Sequence, residues 1–169
     1  MRAAIDKGAA VLDVRSPEEY GAAHLPGAIN VWIESPQFAA RAGMFLPADT
    51  PVVLVPGGPT DLVRAAQGLA RIGMDDIAGY LQWGMADWRS HGWPAATVPQ
   101  ITVHDLATMR EEQPDLVVVD VREPFEWDEG HIEGAVHLPM GEAVRADDRA
   151  SRGSPEGGRL RGRACARAR

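Results

Sequence analysis

The chain repeats itself. Val11-Leu12-Asp13-Val14-Arg15-Ser16-Pro17-Glu18-Glu19-Tyr20, followed by His24-Leu25-Pro26-Gly27-Ala28-Ile29-Asn30-Val31, returns at a constant offset of 107. The return reads Val118-Val119-Asp120-Val121-Arg122-Glu123-Pro124-Phe125-Glu126-Trp127 and then His131-Ile132-Glu133-Gly134-Ala135-Val136-His137-Leu138. An ungapped match over about twenty positions means that one structural unit occurs twice. The Pro-containing stretch Trp93-Pro94-Ala95-Ala96-Thr97-Val98-Pro99 is the natural linker.

Hydrophobic periodicity in the first copy predicts short strands alternating with helices. Strands are expected at Ala10–Val14, Ala28–Val31, Val52–Val55 and Ile77–Leu81, and helices around Pro17–Ala22, Gln37–Ala42, Asp61–Ile72 and Met85–His91. That alternation implies an α/β fold with a central parallel sheet flanked by helices. The second copy predicts strands at Ile101–Thr102 and Leu116–Val121 and a helix at His104–Glu112, with a return through His131 to Leu138. There the repeat stops, because the offset puts Arg159-Leu160-Arg161-Gly162 where the first copy has Val52-Val53-Leu54-Val55. Three domains are therefore expected: a near-complete, N-terminally clipped copy over 1–98, the front half of a second over 99–142, and an Arg/Gly-rich tail over 143–169.

Charge separates the tail from the rest. Residues 149–169 carry seven Arg and one Glu, whereas residues 1–148 carry ten basic and twenty-three acidic residues, for a net charge of -7 over the chain. With a single large aliphatic residue, Leu160, this segment cannot offset its ordering entropy by burial and is expected to be disordered. It begins where the half-copy still needs a central strand, as expected of a shifted reading frame. Without interleaved aromatics it does not predict a nucleic-acid partner. No apolar run approaches the length that crosses a membrane, and Met1-Arg2-Ala3-Ala4-Ile5-Asp6-Lys7-Gly8 is no export signal, so the cytoplasm is the expected location. The one cysteine, Cys165, has no disulfide partner, and the five histidines, at 24, 91, 104, 131 and 137, show no metal spacing. No metal or cofactor is expected.

Asp13-Val14-Arg15, Pro17-Glu18-Glu19-Tyr20, His24-Leu25-Pro26-Gly27-Ala28-Ile29-Asn30, Gly79-Tyr80-Leu81, Trp88 and Gly92-Trp93-Pro94 occur in order. With these motifs the first copy resembles the rhodanese-like (sulfurtransferase) family almost end to end, and the second copy resembles the front half of the same domain. Arg71-Ile72-Gly73-Met74-Asp75-Asp76-Ile77-Ala78-Gly79-Tyr80-Leu81 is further similar to tandem rhodanese regions fused to metallo-β-lactamase-fold persulfide dioxygenases or hydrolases. The resemblance implies a persulfide-handling partner of that kind or another partner in sulfur metabolism.

The resemblance also implies a loop of form CxxGxR after the central strand, where a thiolate at a helix N-terminus accepts sulfane sulfur. Here that loop reads Pro56-Gly57-Gly58-Pro59-Thr60-Asp61. Pro56 stands where the family's Cys belongs and Asp61 where its Arg belongs. Pro56 brings neither a nucleophile nor an N–H, Pro59 removes a second donor, and Asp61 puts negative charge where an anionic substrate would sit. Thr60 is expected to cap the helix. The expected function is thus a catalytically inactive rhodanese-like module with a structural or binding role in persulfide metabolism. The alternative is a residual sulfurtransferase that uses Cys165.

The remaining polar candidates have local explanations. Asp13 with Arg15, and Asp120 with Arg122, are expected to bond neighbouring loop backbone and fix its shape. His24 and His131 are expected to pack or cap beside a turn. Trp83, Trp88 and Trp93 recur every five residues and are expected to serve core and edge packing.

Overall fold

The computed structural model describes residues 1–47 and 49–143, which fall into two compact units divided between Val98 and Pro99. The Arg-rich segment from residue 144 onward, Cys165 included, lies outside the described residues.

The first unit runs α1 (Arg2–Asp6), β1 (Ala10–Asp13), α2 (Pro17–Ala22), β2 (Ile29–Asn30), α3 (Phe38–Phe45), β3 (Val52–Val55), α4 (Pro59–Ala70), β4 (Ile77–Tyr80) and α5 (Gly84–Ser90). The four strands form one sheet in the order β2-β1-β3-β4, with every neighbouring pair parallel. The unbroken apolar run Val52-Val53-Leu54-Val55 becomes β3, buried on both faces, as a central strand of a parallel sheet requires. On one face Leu12, Val14, Val52 and Leu54 pack with Phe38 and Ala42 of α3 and Ala65 and Leu69 of α4. On the other, Val11, Val53 and Val55 pack with Met85 and Trp88 of α5 and with Ala4 and Ile5 of α1. The α/β architecture with a helix-flanked parallel sheet is the one the periodicity predicts.

Local signals set the helix starts. Ser16 accepts from the Glu19 N–H while the Glu19 carboxylate accepts from the Ser16 N–H, and Pro17 opens α2 with a preset φ. At α4 the expectation of a Thr60 cap is corrected: Gly58 is the N-cap, and the helix begins one residue before Thr60, at Pro59. Proline suits the first helical position because its missing N–H would have no partner there.

The second unit contains α6 (Val103–Glu112), β5 (Val119–Asp120), α7 (Pro124–Glu129) and β6 (Val136–His137). β5 and β6 pair in parallel, Val119 with Val136 and Asp120 with His137. The strand expected at Leu116–Val121 is thus reduced to two residues. The strand expected at Ile101–Thr102 does not form; Thr102 instead caps α6, its hydroxyl accepting from the Asp105 N–H. Both differences share a cause, since a strand is defined by its neighbours and these residues have one neighbouring strand or none.

Candidate functional site

All four strands of the first unit run the same way, so their C-terminal ends share one edge of the sheet. That edge is where parallel α/β folds place their sites. It gathers Arg15 beyond β1, Trp32 and Glu34 beyond β2, the Pro56–Asp61 loop beyond β3 and Trp83 beyond β4.

Asp13 is fully buried and Arg15 nearly so. The Asp13 carboxylate accepts from the Arg15 backbone N–H at 3.1 Å and from its Nε at 2.9 Å, while Arg15 Nη2 donates to the Ala23 carbonyl at 2.8 Å. Asn30 Nδ2 donates to the backbone oxygens of both Asp13 and Arg15, each at 3.0 Å. The guanidinium is therefore spent on holding the end of β1 against the end of α2. His24 is buried, its ring stacked on Tyr20 at 3.9 Å and its Nδ1 2.9 Å from the Tyr20 carbonyl oxygen.

The second unit rebuilds this cluster. Arg122 donates from its backbone N–H and Nε to Asp120 Oδ1, each at 3.0 Å, and from Nη2 to the Gly130 carbonyl at 2.8 Å. His131 stacks on Trp127 at 3.6 Å, with its Nδ1 3.2 Å from the Trp127 carbonyl oxygen. His137 takes the place of Asn30, its Nε2 3.0 Å from the Arg122 oxygen, and its ring lies against Trp127 as well. The two aspartates nevertheless shift oppositely. Burial pushes the Asp13 carboxyl above the usual range despite Arg15, whereas the Arg122 hydrogen bonds hold the less enclosed Asp120 below it.

The loop after β3 leads directly into α4, with Gly58 as its N-cap. Pro56 and Pro59 contribute no N–H. A Cβ at Gly57 would stand 3.0 Å from Asp61 Oδ2 and 3.9 Å from Glu19 Oε2, so two carboxylates converge on the loop. Arg64, in the second turn of α4, is paired with Glu34, with 3.3 Å between Nη2 and Oε2. Among the described residues no cluster of three or more His, Cys, Asp or Glu could hold a metal ion.

The tryptophans divide. Trp88 is buried, donates from Nε1 to the Pro94 carbonyl at 2.8 Å and lies 4.5 Å from the Trp93 ring, as packing residues do. Trp83 corrects the expectation of packing, being 71% exposed. It occupies the tight turn between β4 and α5, just before Gly84 at φ +69°, and that turn aims it outward. Trp32 is also exposed. The sequence spacing had no means of singling it out, because its exposure follows from the place where β2 ends.

A strand–loop–helix join at the C-terminal end of the central strand is where parallel α/β units commonly place a site. The chain belongs to the rhodanese-like domain family, whose sequence profile matches residues 1–91 and 102–160. Among curated proteins it is similar to YrkF of Bacillus subtilis, named as a candidate sulfur carrier, at 35% identity over 51 residues. That match covers 30% of this chain, and the chain spans 28% of the relative's length. Among solved structures it is similar to a rhodanese-like domain from Anabaena sp., at 26% identity over 53% of this chain and 99% of the other, with a TM-score of 0.47. A rhodanese-related protein from Thermoplasma volcanium is similar at 23% identity over 54% of this chain and 86% of the other, with a TM-score of 0.44. No described helix is long and apolar enough to cross a membrane.

Proposed function

We propose that the chain is a catalytically silent rhodanese-like module that works by binding in cytoplasmic persulfide and sulfane-sulfur metabolism. The observation that carries this reading is Pro56. Sulfane-sulfur transfer needs a thiolate at the mouth of α4, and the residue there has no thiol and no N–H. The surroundings agree, because Asp61 and Glu19 would repel an anionic sulfur donor and the nearby Arg15 and Arg64 are already paired. Exposed Trp32 and Trp83 on the same edge offer contact area of the kind that anchors a protein partner. The partner of this reading is a persulfide-handling protein of metallo-β-lactamase fold.

The test is incubation of the full chain with thiosulfate and cyanide. No thiocyanate above the uncatalysed rate is expected. Thiocyanate formation that disappears in Cys165→Ser would overturn the reading in favour of a residual sulfurtransferase.

A further inference from the structure

The internal repeat allows the two copies of one strand to be compared residue by residue. Leu12 of β1 and Val14 just beyond it are fully buried, and at the offset of 107 their counterparts are Val119 and Val121. Those are 43% and 36% exposed, and on the same face Val117 is 58% and Val136 is 52% exposed. In the first unit this face is covered by α3 and α4, and β1 is flanked on its second side by β3.

The hydrogen bonds differ in the same way. Ala10 N–H donates to the Pro51 carbonyl at 2.9 Å and Val14 N–H to the Val55 carbonyl at 3.0 Å. The counterparts are the N–H groups of Val117 and Val121, and among the described residues nothing accepts from them. On its other side β5 makes the same bonds as β1: Leu138 N–H donates to the Asp120 carbonyl at 2.9 Å, as Val31 N–H donates to that of Asp13 at 3.0 Å. Among the described residues one edge of β5 is thus closed and the other offers both unpaired donors and an apolar face, which together select for an added strand.

We propose that this edge of β5 docks a parallel apolar strand followed by an amphipathic helix, carried by another polypeptide. The first copy shows the chemistry of the occupant, since Val52-Val53-Leu54-Val55 and α4 occupy the same position beside β1. This chain's own segment at the matching offset, Arg159-Leu160-Arg161-Gly162, has two charged residues and a glycine where a buried strand needs apolar ones. A second copy of the chain suits the edge poorly. Four half-exposed valines on each side fall well short of the roughly 1,200 Å² that a stable dimer buries. Residues 99–143 also carry eleven acidic residues against two Arg, so two such units repel.

The test uses the isotope-labelled full chain and, as probe, a peptide of the sequence Pro51–Ala70 presented on a soluble carrier. Amide hydrogen exchange at Val117 and Val121 should slow by about tenfold or more on adding the peptide. The effect should be lost with a peptide carrying Val52→Lys and Leu54→Lys, and with the chain variant Val119→Lys, which is at an exposed site and leaves folding intact. No slowing with the native peptide, or equal slowing with the Lys peptide, would overturn the proposal. So would a dimer in sedimentation that Val119→Lys converts to monomer, since the edge would then belong to a second copy.

Discussion

The carboxylate of Asp61 leans back over Gly57, its Oδ2 standing 3.0 Å from where a side chain on that glycine would begin. The first turn of α4 thereby turns a negative charge toward the loop in which the family holds its anion. Supplying the nucleophile alone should not restore chemistry. Pro56→Cys is expected to take up sulfane sulfur at least about a hundredfold more slowly than Pro56→Cys combined with Pro59→Gly and Asp61→Arg. Intact mass, which rises by one sulfur atom on persulfide formation, distinguishes them. Equal uptake by the single variant would refute this account of the loop.

Removing Arg15 should be far more costly than removing its counterpart. Arg15→Ala leaves Asp13 buried without its partner, a situation worth about 3–5 kcal/mol of destabilisation. Replacing both residues with apolar ones of similar size, Asp13→Leu with Arg15→Met, should cost less than Arg15→Ala alone. Arg122→Ala should have a much smaller effect, because its side chain is 38% exposed and water can take over. Urea denaturation of the four proteins gives the order.

The two aspartates should respond to acid with opposite signs. The folded Asp13 carboxyl is raised, so its contribution favours the folded state below the ordinary Asp value and is lost as pH rises through the folded one. The folded Asp120 carboxyl is lowered, so its contribution is present above the ordinary value and is lost as pH falls through the folded one. Carbon-detected titration should show Asp13 protonating at higher pH than Asp120. Asp120→Asn should make stability less sensitive to acid, and Asp13→Asn should raise stability at neutral pH relative to acid. A reversed order of titration would contradict the difference in burial between the clamps.

Gly68→Ala should destabilise the first unit despite improving helix propensity. A Cβ there would lie 3.0 Å from both Cδ1 and Cε1 of Phe38, a buried ring that anchors α3. Overpacking costs about 1–3 kcal/mol and alanine returns roughly 1 kcal/mol as a helix former, so the net loss should be near 1 kcal/mol. A thermal melt with an unchanged or raised midpoint would show that Phe38 can move aside.

The parallel sheet was legible because its signals are local: a four-residue apolar run for β3, alternating helices, and a motif that returns intact. That two residues of the loop after β3 contribute no N–H was legible because Pro56 and Pro59 lack one in any conformation. Context decided the rest. Trp83 keeps the spacing of a packed residue but sits in a turn, and spacing alone does not reveal which way a turn points. Thr60 is a good cap by composition, yet Pro59 fits the first helical position and moves the start. Asp13 and Asp120 occupy the same motif and shift oppositely, because burial depends on elements distant in sequence. The shortening of β5 depends on a neighbour that no local pattern supplies.

The Asp–Arg clamp forms in both units, although among the described residues only the first has a central strand beside it. The bonds made by its two side chains close within a short span, the longest linking Arg15 to Ala23 and Arg122 to Gly130. A motif so self-contained records descent and shape rather than reactivity. Natural selection can leave it untouched whatever residue stands one strand away. A survey that counts transferases by these residues would therefore count scaffolds, and the residue at the end of the central strand is the one that separates the two.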